Sequence, residues 1–258
     1  YISWDQKFRN QIAYVSRVGE SAGKMYGFVY DGTYKEEDFN ITVNENGKKT
    51  YELKPGVPKF KDGCQPGDPK YKNVDGSEDN LITDNDRTVI GNGHPLHTGG
   101  FTNNFVYKNW DLNIFLQWSY GNDIFNVNRL VMENPGAKKQ LNQFASYKNR
   151  WSESNPTSNI PRVRAVGADE YSSLYVEDGS FLKLKTISLG YNFDAKTLKR
   201  IGISAARVFV SAENIATITG YSGSDPEVST RHSVLTPGFD WSAYPRAFNA
   251  SLGVNVTF

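Results

Sequence analysis

The sequence lacks several features that define common classes of protein. Its 258 residues include one cysteine, Cys64, so the chain forms no internal disulfide. Lys and Arg number 29 and Asp and Glu number 28, which gives a formal net charge of +1 at pH 7 and no basic footprint for nucleic acid. No stretch approaches ~20 consecutive apolar residues, and this excludes membrane proteins that cross with helices.

Motifs of enzymes are also scarce. The three histidines, His94, His97 and His232, do not show the spacing of a metal site such as HExxH. We expect His94 and His97 to be loop residues rather than ligands. The sequence has neither a nucleophile elbow nor a glycine-rich phosphate loop.

Three acidic pairs have the residue types of a glycosidase. With 28 acidic residues in the chain, such pairs arise by chance, and none has a distinguishing sequence context. We therefore predict that the protein is not an enzyme. The pairs are Asp84 with Asp86, Glu36 with Glu37, and Asp225 with Glu227.

What the sequence does contain is alternation of apolar and polar residues, which is clearest in its last stretch, RAFNASLGVNVTF. Strand side chains point to opposite faces with a period of two, so this stretch predicts a strand with one apolar face. Two environments suit such a strand: a soluble β-sandwich, or a transmembrane barrel wall with lipid on one side and a wet lumen on the other. The apolar set is Phe248, Ala250, Leu252, Val254, Val256 and Phe258.

Six segments share this signature of alternation with aromatic or β-branched enrichment. Several are about 10–14 residues long, beyond the ~5–6 residues usual for strands of globular proteins. This length favours a barrel wall. The predicted strands lie near residues 5–18, 100–108, 110–121, 180–193, 203–214 and 246–258.

Short and long connections alternate along the chain. Lys108–Asn109 and the stretch FDAKTLKRI are short, whereas the loops 19–99, 122–179 and 215–245 are long. Structureless loops beyond ~12–15 residues are uncommon in compact domains, but an outer-membrane barrel has short periplasmic turns and long outside loops. We therefore predict that the three long loops are extracellular. They contain helical stretches within VNRLVMENPGAKKQLNQFASYKNRW, interrupted at 134–136.

Several stretches are informative when taken together and in order. They are GKMYGFVYDGTYKEEDF, GDPKYKNVDG, LITDNDRTVIGNGHP, FTNNFVYKNWDLNIFLQWSYGNDIFNVNR, VEDGSFLKLKTISLGYNF, RVFVSAENIATITGYSGSDPEV and DWSAYPRAFNASLGVNVTF. They resemble the carboxyl-terminal part of SusC/RagA-type TonB-dependent outer-membrane transporters. The resemblance implies an all-β fold, in which about six antiparallel strands form the carboxyl-terminal segment of a barrel of about 22 strands. The plug domain and the TonB box of that family are absent from this sequence.

The resemblance also implies a function, a location and partners. Transporters of this type import oligosaccharides or peptides across the outer membrane of a Gram-negative, Bacteroidetes-like bacterium. A SusD-like lipoprotein forms a lid over the captured substrate, and the TonB complex acts through the missing amino-terminal part. No cofactor is required.

The resemblance further implies how the barrel assembles and closes. Phe258 resembles the terminal signal that the barrel-assembly machinery recognises. The strand at 246–258 is expected to pair with the first strand of the barrel, and the strand at 5–18 with a strand upstream of this sequence. Closure of this kind removes free strand edges.

The barrel hypothesis assigns a direction to each face of the strands. A charge on the lipid face costs free energy near the bilayer midplane, so the apolar side chains of each strand should face lipid. The residues predicted to face lipid are Leu112, Ile114, Leu116, Ile187, Leu189, Leu252, Val254 and Val256. The residues predicted to face the lumen are Gln117, Ser119, Thr186, Ser188, Asn249 and Ser251.

The acidic stretch NVDGSEDNLITDND, residues 73–86, has features of a calcium loop. Oxygen ligands at alternating positions around a glycine, followed by a buried aliphatic residue and a later acid, suit Ca²⁺. The resemblance implies a tidier motif, DxNGDGxIDxxD, from which this stretch departs. We predict Asp75, Asp79 and Asp86 as ligands and Ile82 as the apolar anchor; the alternative is a solvated acidic turn.

Aromatic residues make up 14% of the chain. Tyr and Trp form girdles at membrane interfaces, so we expect Trp110, Trp118, Tyr120 and Tyr191 to be wall residues. Aromatic residues of the loops are suited to stack on sugar rings. A soluble surface protein that binds glycan through these loops, with a calcium loop, is the alternative function. The predicted substrate-binding aromatics are Tyr171, Tyr175, Tyr221 and Trp241.

Overall fold

The computed structural model describes residues 3–8, 10–134, 142–200, 202–231 and 233–258. The chain divides into two compact units. Unit 1 comprises Tyr1–His94, Asp123–Glu177 and Ser229–Ala243, and unit 2 comprises Pro95–Asn122, Asp178–Val228 and Tyr244–Phe258. No helix in the described part of the chain is long and apolar enough to cross a membrane.

Strands dominate both units. The strands are β1 (Ser3–Phe8), β2 (Gln11–Arg17), β3 (Lys24–Gly27), β4 (Tyr30–Thr33), β5 (Phe39–Val43), β6 (Lys49–Leu53), β7 (Pro69–Tyr71), β8 (Thr88–Asn92), β9 (His97–Tyr107), β10 (Trp110–Tyr120), β11 (Asp123–Asn126), β12 (Val176–Asp178), β13 (Phe181–Asn192), β14 (Ala205–Thr219), β15 (Phe239–Asp240) and β16 (Asn249–Thr257). The α-helices are α1 (Val127–Met132) and α2 (Ala195–Lys199). Short 3-10 helices lie at Glu36–Asp38, Asp84–Asp86, Ala145–Asn149 and Ser173–Tyr175.

Unit 1 is built around a hydrophobic core. Its largest sheet has the order β1-β2-β3-β8, beside two-stranded sheets β4-β7 and β5-β6, and β11 pairs with β15 in parallel. Apolar side chains from distant parts of the sequence meet between these elements, which stabilises the unit by burial. The main buried cluster is Ala13, Tyr14, Met25, Phe125, Val127, Leu130, Val131, Tyr171, Tyr175 and Phe239.

The segment 5–18 is a hairpin, which corrects the prediction of one strand there. β1 pairs with β2 in antiparallel register, with Phe8 opposite Gln11. Asn10 lies at the turn with a φ of 67°, a left-handed conformation that Asn adopts more readily than most residues. The hairpin belongs to the sheet of unit 1, so five of the six predicted strand segments, and not this one, form the long sheet.

Unit 2 contains that long antiparallel sheet, with the order β16-β14-β13-β10-β9. β9 begins at His97, three residues before its predicted start at 100. β14 continues to Thr219, beyond the predicted end at 214, so the loop 215–245 is shorter than expected. The loop 19–99 is also not structureless, because it contains β3 to β8.

The described part of unit 2 contains none of the three hydrophobic core clusters, all of which lie in unit 1. A sheet with an apolar face normally buries it against another layer. Here instead many large apolar side chains of the sheet are exposed, including Leu252 at 76% and Val254 at 64%.

The connection after β11 contains the predicted helix. Asn126 caps α1, because its side-chain oxygen accepts a hydrogen bond from the backbone N–H of Arg129 at 3.2 Å. α1 ends at Met132, just before the predicted interruption. Residues 135 and 136 of that interruption lie outside the described residues.

Candidate functional site: a two-faced sheet with a buried ion cluster

The sheet of unit 2 has one continuous apolar face. Side chains directly opposite each other on paired strands share a face. Leu112 lies opposite Leu189, Leu189 opposite Val210, and Val210 opposite Leu252, which makes an apolar row across four strands. Most of the other residues on this face are also apolar. They are Phe101, Phe105, Tyr107, Trp110, Ile114, Leu116, Leu184, Ile187, Tyr191, Val208, Ala212, Ala250, Val254 and Val256.

The opposite face is mostly polar and hydrogen-bonded, although Phe115 and Phe209 also lie on it. Asp111 accepts a hydrogen bond from Arg207 Nη2 at 2.5 Å, and the hydroxyl oxygens of Ser211 and Ser251 lie 2.7 Å apart. The predicted lumen residues lie on this face and the predicted lipid residues on the other, so the predicted division into two faces is confirmed. The assignment of one face to lipid and the other to the lumen stays a prediction.

A β-bulge puts an additional cation on the polar face. The register of β13 against β10 shifts between Thr186 and Leu184, which makes Lys185 the extra residue of that pair of strands. The Nζ atom of Lys185 donates to Gln117 Oε1 at 2.6 Å. Lys183 lies opposite Gln117, so two lysines meet on this part of the face.

Lys183 is the centre of a buried ion cluster. Its side chain is 3% exposed and forms salt bridges with Asp225, at 3.4 Å from Oδ1, and with Glu227. Arg246 Nη1 lies 3.0 Å from Glu227 Oε2, and Lys185 Nζ lies 3.9 Å from Glu227 Oε1. A buried charge is tolerated only when it is paired, and here three cations surround two carboxylates.

The carboxylate of Asp225 also holds the backbone. Its oxygens accept hydrogen bonds from the N–H groups of Glu227 at 3.0 Å and Arg246 at 3.2 Å. Burial alone raises the pKa of Asp225, but these N–H groups and the Lys183 ammonium outweigh it, so the pKa lies below its usual range. The cluster thus fixes two parts of the connection between β14 and β16 to the polar face of the sheet.

Aromatic side chains flank the apolar face at both ends. At the end with the β9–β10 turn, Trp110 and Tyr191 have ring centroids 4.8 Å apart. At the other end, Trp118 Nε1 donates to His97 Nδ1 at 3.2 Å, and the His97 ring stacks on Tyr120 at 5.1 Å. His97 is therefore the first residue of a strand rather than the loop residue we expected.

The spacing of these aromatic rows can be compared with a bilayer. Trp110 and Tyr120 bound β10, so they lie about 33 Å apart at ~3.3 Å per residue. For strands tilted by ~35–45°, this becomes about 23–27 Å along the barrel axis, close to the ~25 Å apolar band of outer-membrane barrels.

Three of the four predicted substrate-binding aromatics are buried. Tyr171, Tyr175 and Tyr221 are 1%, 2% and 5% exposed. The hydroxyl of Tyr171 donates to Phe8 O at 2.6 Å, and that of Tyr175 to Ala168 O at 3.0 Å, as expected of core residues. They present no ring face for a sugar in this structure, which does not support their prediction as stacking residues.

The fourth aromatic, Trp241, is partly buried and packs at the edge of the unit 1 core. Its ring centroid lies 6.1 Å from that of Phe8. Of the histidines, His94 Nε2 lies 2.8 Å from Val234 O, and His232 lies outside the described residues.

The carboxylates of the acidic loop hold their own turns. Asp86 is fully buried and accepts hydrogen bonds from the N–H groups of Val74, Asp75 and Thr83 at 2.8, 3.2 and 2.8 Å. Asp79 Oδ1 accepts a hydrogen bond from the N–H of Leu81 at 3.0 Å, and this bond holds the pKa of Asp79 below its usual range.

The predicted apolar anchor, Ile82, is 5% exposed and packs beside Phe28 and Tyr71. Within the described ranges, no group of three His, Cys, Asp or Glu side chains is arranged to hold a metal ion. Asp75, Asp79 and Asp86 thus do not form one donor set here, and calcium binding at residues 73–86 stays a prediction.

The three acidic pairs have other partners in the structure. Asp84 forms a salt bridge with Arg87 at 2.9 Å, and Glu36 one with Lys49 at 3.4 Å. The pair Asp225 and Glu227 is engaged by the buried cluster described above.

Sequence reasoning did not single out the cations of that cluster. A signal was available: the stretch FLKLKTISLGYN places Lys183 and Lys185 two residues apart in an otherwise uncharged strand. Two cations on one face of such a long strand need carboxylate partners. Asp225 and Glu227, in the DPE stretch at 225–227, are those partners.

Curated relatives of the chain are receptors. TonB-dependent receptor P3 of Formosa agariphila is 32% identical over 256 residues, which is 97% of this chain and 24% of the relative. TonB-dependent receptor SusC of Bacteroides thetaiotaomicron is 29% identical over 164 residues, 62% of this chain and 15% of that receptor. The chain spans about a quarter of the length of TonB-dependent receptor P3. No family model matches the chain.

Solved structures show the same fold. The RagAB peptide transporter matches 99% of this chain and 25% of its own chain, with a TM-score of 0.69 and 22% identity. The RagAB peptide importer in its closed-closed state matches the same share of this chain, with a TM-score of 0.67 and 20% identity. The fold is therefore that of a segment of a TonB-dependent transporter barrel.

Proposed function

The chain is homologous to TonB-dependent receptors, SusC among them, and on this premise we propose that it forms part of an outer-membrane importer. The observation that carries the proposal is the sheet with two unlike faces. Its apolar face is free of Lys, Arg, Asp and Glu and is flanked by aromatic rows at a bilayer spacing. In the proposal this face contacts lipid, and the polar face with its ion cluster lines the lumen.

The proposed cargo is an oligosaccharide or a peptide. A relative of the same fold is called a peptide transporter, and SusC is a further homologue. The long connections are extracellular in this proposal and meet a SusD-like lipoprotein lid. The TonB complex acts through parts of the receptor outside this chain, and no catalytic step is involved.

Two further parts of the proposal concern assembly and location. In the proposal the barrel-assembly machinery recognises Phe258, which follows β16 and is 87% exposed. The location is the outer membrane of a Bacteroidetes-like bacterium.

Uptake by the intact receptor tests the function. A strain with an in-frame deletion of the full-length receptor is grown on single oligosaccharides or peptide mixtures, beside a strain that carries the restored gene and a strain that lacks TonB. We expect one substrate class to be lost in both the receptor-deletion and TonB strains and recovered on restoration. Unchanged growth and uptake of every substrate would contradict import.

Fractionation of the same cells separates the proposal from a soluble glycan-binding protein. Lipid-facing strands require that the full-length receptor be recovered only after detergent extraction of the outer membrane. Recovery of the intact protein in the aqueous fraction would favour the soluble alternative.

A further inference from the structure

The apolar face contains a groove close to its turn end. The groove encloses a volume of about 250 Å³, and its lining is almost wholly apolar. It lies across β10, β13, β14 and β16, where the valines of β14 are small beside the aromatic rings of β10 and β13. The lining includes Trp110, Leu189, Tyr191, Val208, Val210 and Leu252.

Four exposed cations lie at the same end of the sheet. Lys108 is in the β9–β10 turn, and Lys196, Lys199 and Arg200 are in and after α2, which connects β13 to β14. The end of β13 meets the β9–β10 turn, because the N–H of Asn192, the last residue of β13, donates to the carbonyl of the turn residue Asn109 at 2.8 Å.

These cations have no carboxylate partners within the described residues. Leu198 is buried at 6% exposure, which anchors α2 and leaves its basic side chains in solvent. The one acidic side chain of the connection, Asp194, caps α2 through the N–H of Lys196. Four cations minus one carboxylate give this end a side-chain charge of +3.

We propose that this groove and these cations together bind an anionic phospholipid of the leaflet at the turn end. One acyl chain lies in the groove between Trp110 and Leu252, and the phosphate of the headgroup lies among Lys108, Lys196, Lys199 and Arg200. Charge complementarity selects the headgroup, since each Lys or Arg near an anionic lipid surface contributes about 1 kcal/mol. The inference rests on the proposed function, because the face must first contact lipid.

Brominated lipids test the site directly, because Trp110 lines the groove. The full-length receptor is reconstituted in phosphatidylcholine bilayers that contain either brominated phosphatidylglycerol or brominated phosphatidylcholine at equal mole fraction. Subtracting the fluorescence of a Trp110→Phe variant isolates the Trp110 signal. We expect a relative binding constant for phosphatidylglycerol at least about fivefold higher, the ratio that one such cation supplies.

Two charge variants make the assignment specific. The variant Lys108→Gln, Lys196→Gln, Lys199→Gln and Arg200→Gln should bring the two lipids to equal quenching. The control Lys48→Gln, Lys54→Gln, Lys148→Gln and Arg164→Gln removes the same charge from exposed positions of unit 1 and should keep the preference.

Each remaining outcome contradicts a distinct statement. Equal quenching by the two lipids in the unmodified receptor would overturn the lipid site and leave import untouched. A preference that survives in the fourfold variant would overturn the role of these cations. No quenching of Trp110 by either lipid would contradict the proposed function itself, since Trp110 would then not face lipid.

Discussion

Lys183 in β13 and Glu227, 44 residues further along the chain, form a salt bridge in which 3% of the lysine side chain and 10% of the glutamate side chain are exposed. Asp225, Lys185 and Arg246 complete the cluster around this pair. The connection between β14 and β16 is thereby tied to the polar face of the sheet. If that face lines a lumen, this ion cluster determines how much of the lumen the connection occupies.

Loss of the central cation should release the connection. Lys183→Met leaves the carboxylates of Asp225 and Glu227 buried without their main partner, and breaking a buried pair costs about 3–5 kcal/mol. We expect faster proteolysis within residues 220–246 and a lower melting temperature of the full-length receptor in detergent. Lys54→Met, at an exposed position, is the control and should change neither. Equal protease resistance of the two variants would show that the cluster does not hold the connection.

The contacts of the Asp225 carboxylate should weaken in acid. The pKa of Asp225 lies below its usual range in the folded protein, so the unfolded protein takes up this proton first as the pH falls. The contribution of Asp225 is therefore complete above ~3.9, the ordinary pKa of Asp, and is lost at lower pH. The protection factors of the amides in residues 220–228, which are corrected for the pH dependence of intrinsic exchange, should be constant from pH 8 to about 5 and fall below about 4. In Asp225→Asn this fall should be absent, and a loss of protection already between pH 7 and 5 would contradict the assignment.

In the acidic loop, variants of Asp86 and Asp79 distinguish a structural role of a carboxylate from a role in calcium binding. Asp86→Asn weakens the acceptor of three N–H groups and should cost at least about 1.5 kcal/mol even in EDTA. If residues 73–86 bind calcium, excess Ca²⁺ should raise the melting temperature of the intact receptor by mass action. Asp79→Asn should abolish that rise and should lower the melting temperature in EDTA less than Asp86→Asn does, because Asp79 is exposed and accepts fewer backbone N–H groups. Identical melting of the unmodified receptor in calcium and in EDTA would argue for a plain acidic turn.

The two faces of β16 should differ in their tolerance of charge. Val254 lies on the apolar face, whereas Ser251 lies on the polar face opposite Ser211. A lysine on a lipid face near the midplane costs about 2–4 kcal/mol. Val254→Lys should therefore lower the amount of folded receptor in the outer membrane far more than Ser251→Lys does. Heat-modifiable mobility of the receptor in outer-membrane fractions measures this amount, and equal losses for the two variants would refute the direction of the faces.

The sequence predicted the long sheet well because apolar and polar residues alternate over most of the length of its strands. In β10, every second residue from Leu112 to Leu116 is apolar, and a one-residue slip would bring the polar set to the apolar face. The hairpin at 5–18 was missed because only its turn, marked by Asn10, interrupts an otherwise strand-like pattern.

The site was harder to predict because it depends on contacts distant in sequence. Tyr171 and Tyr175 lie in a polar, loop-like stretch, yet they are buried against residues more than a hundred positions away or within their own loop. Composition cannot distinguish such a core tyrosine from one that is free to stack on a sugar. Lys183 was likewise not singled out, since its carboxylate partners lie beyond β14.

The orientation of β16 in a bilayer tests the central claim most directly. Single nitroxide labels are placed at each position from Asn249 to Val256 in the full-length receptor, reconstituted in lipid, and their collision rates with oxygen and with a water-soluble nickel complex are measured. We predict a period of two, with Ala250, Leu252, Val254 and Val256 favouring oxygen and the intervening positions favouring nickel. A reversed phase, or equal access of nickel to both sets, would contradict a wall whose apolar face contacts lipid.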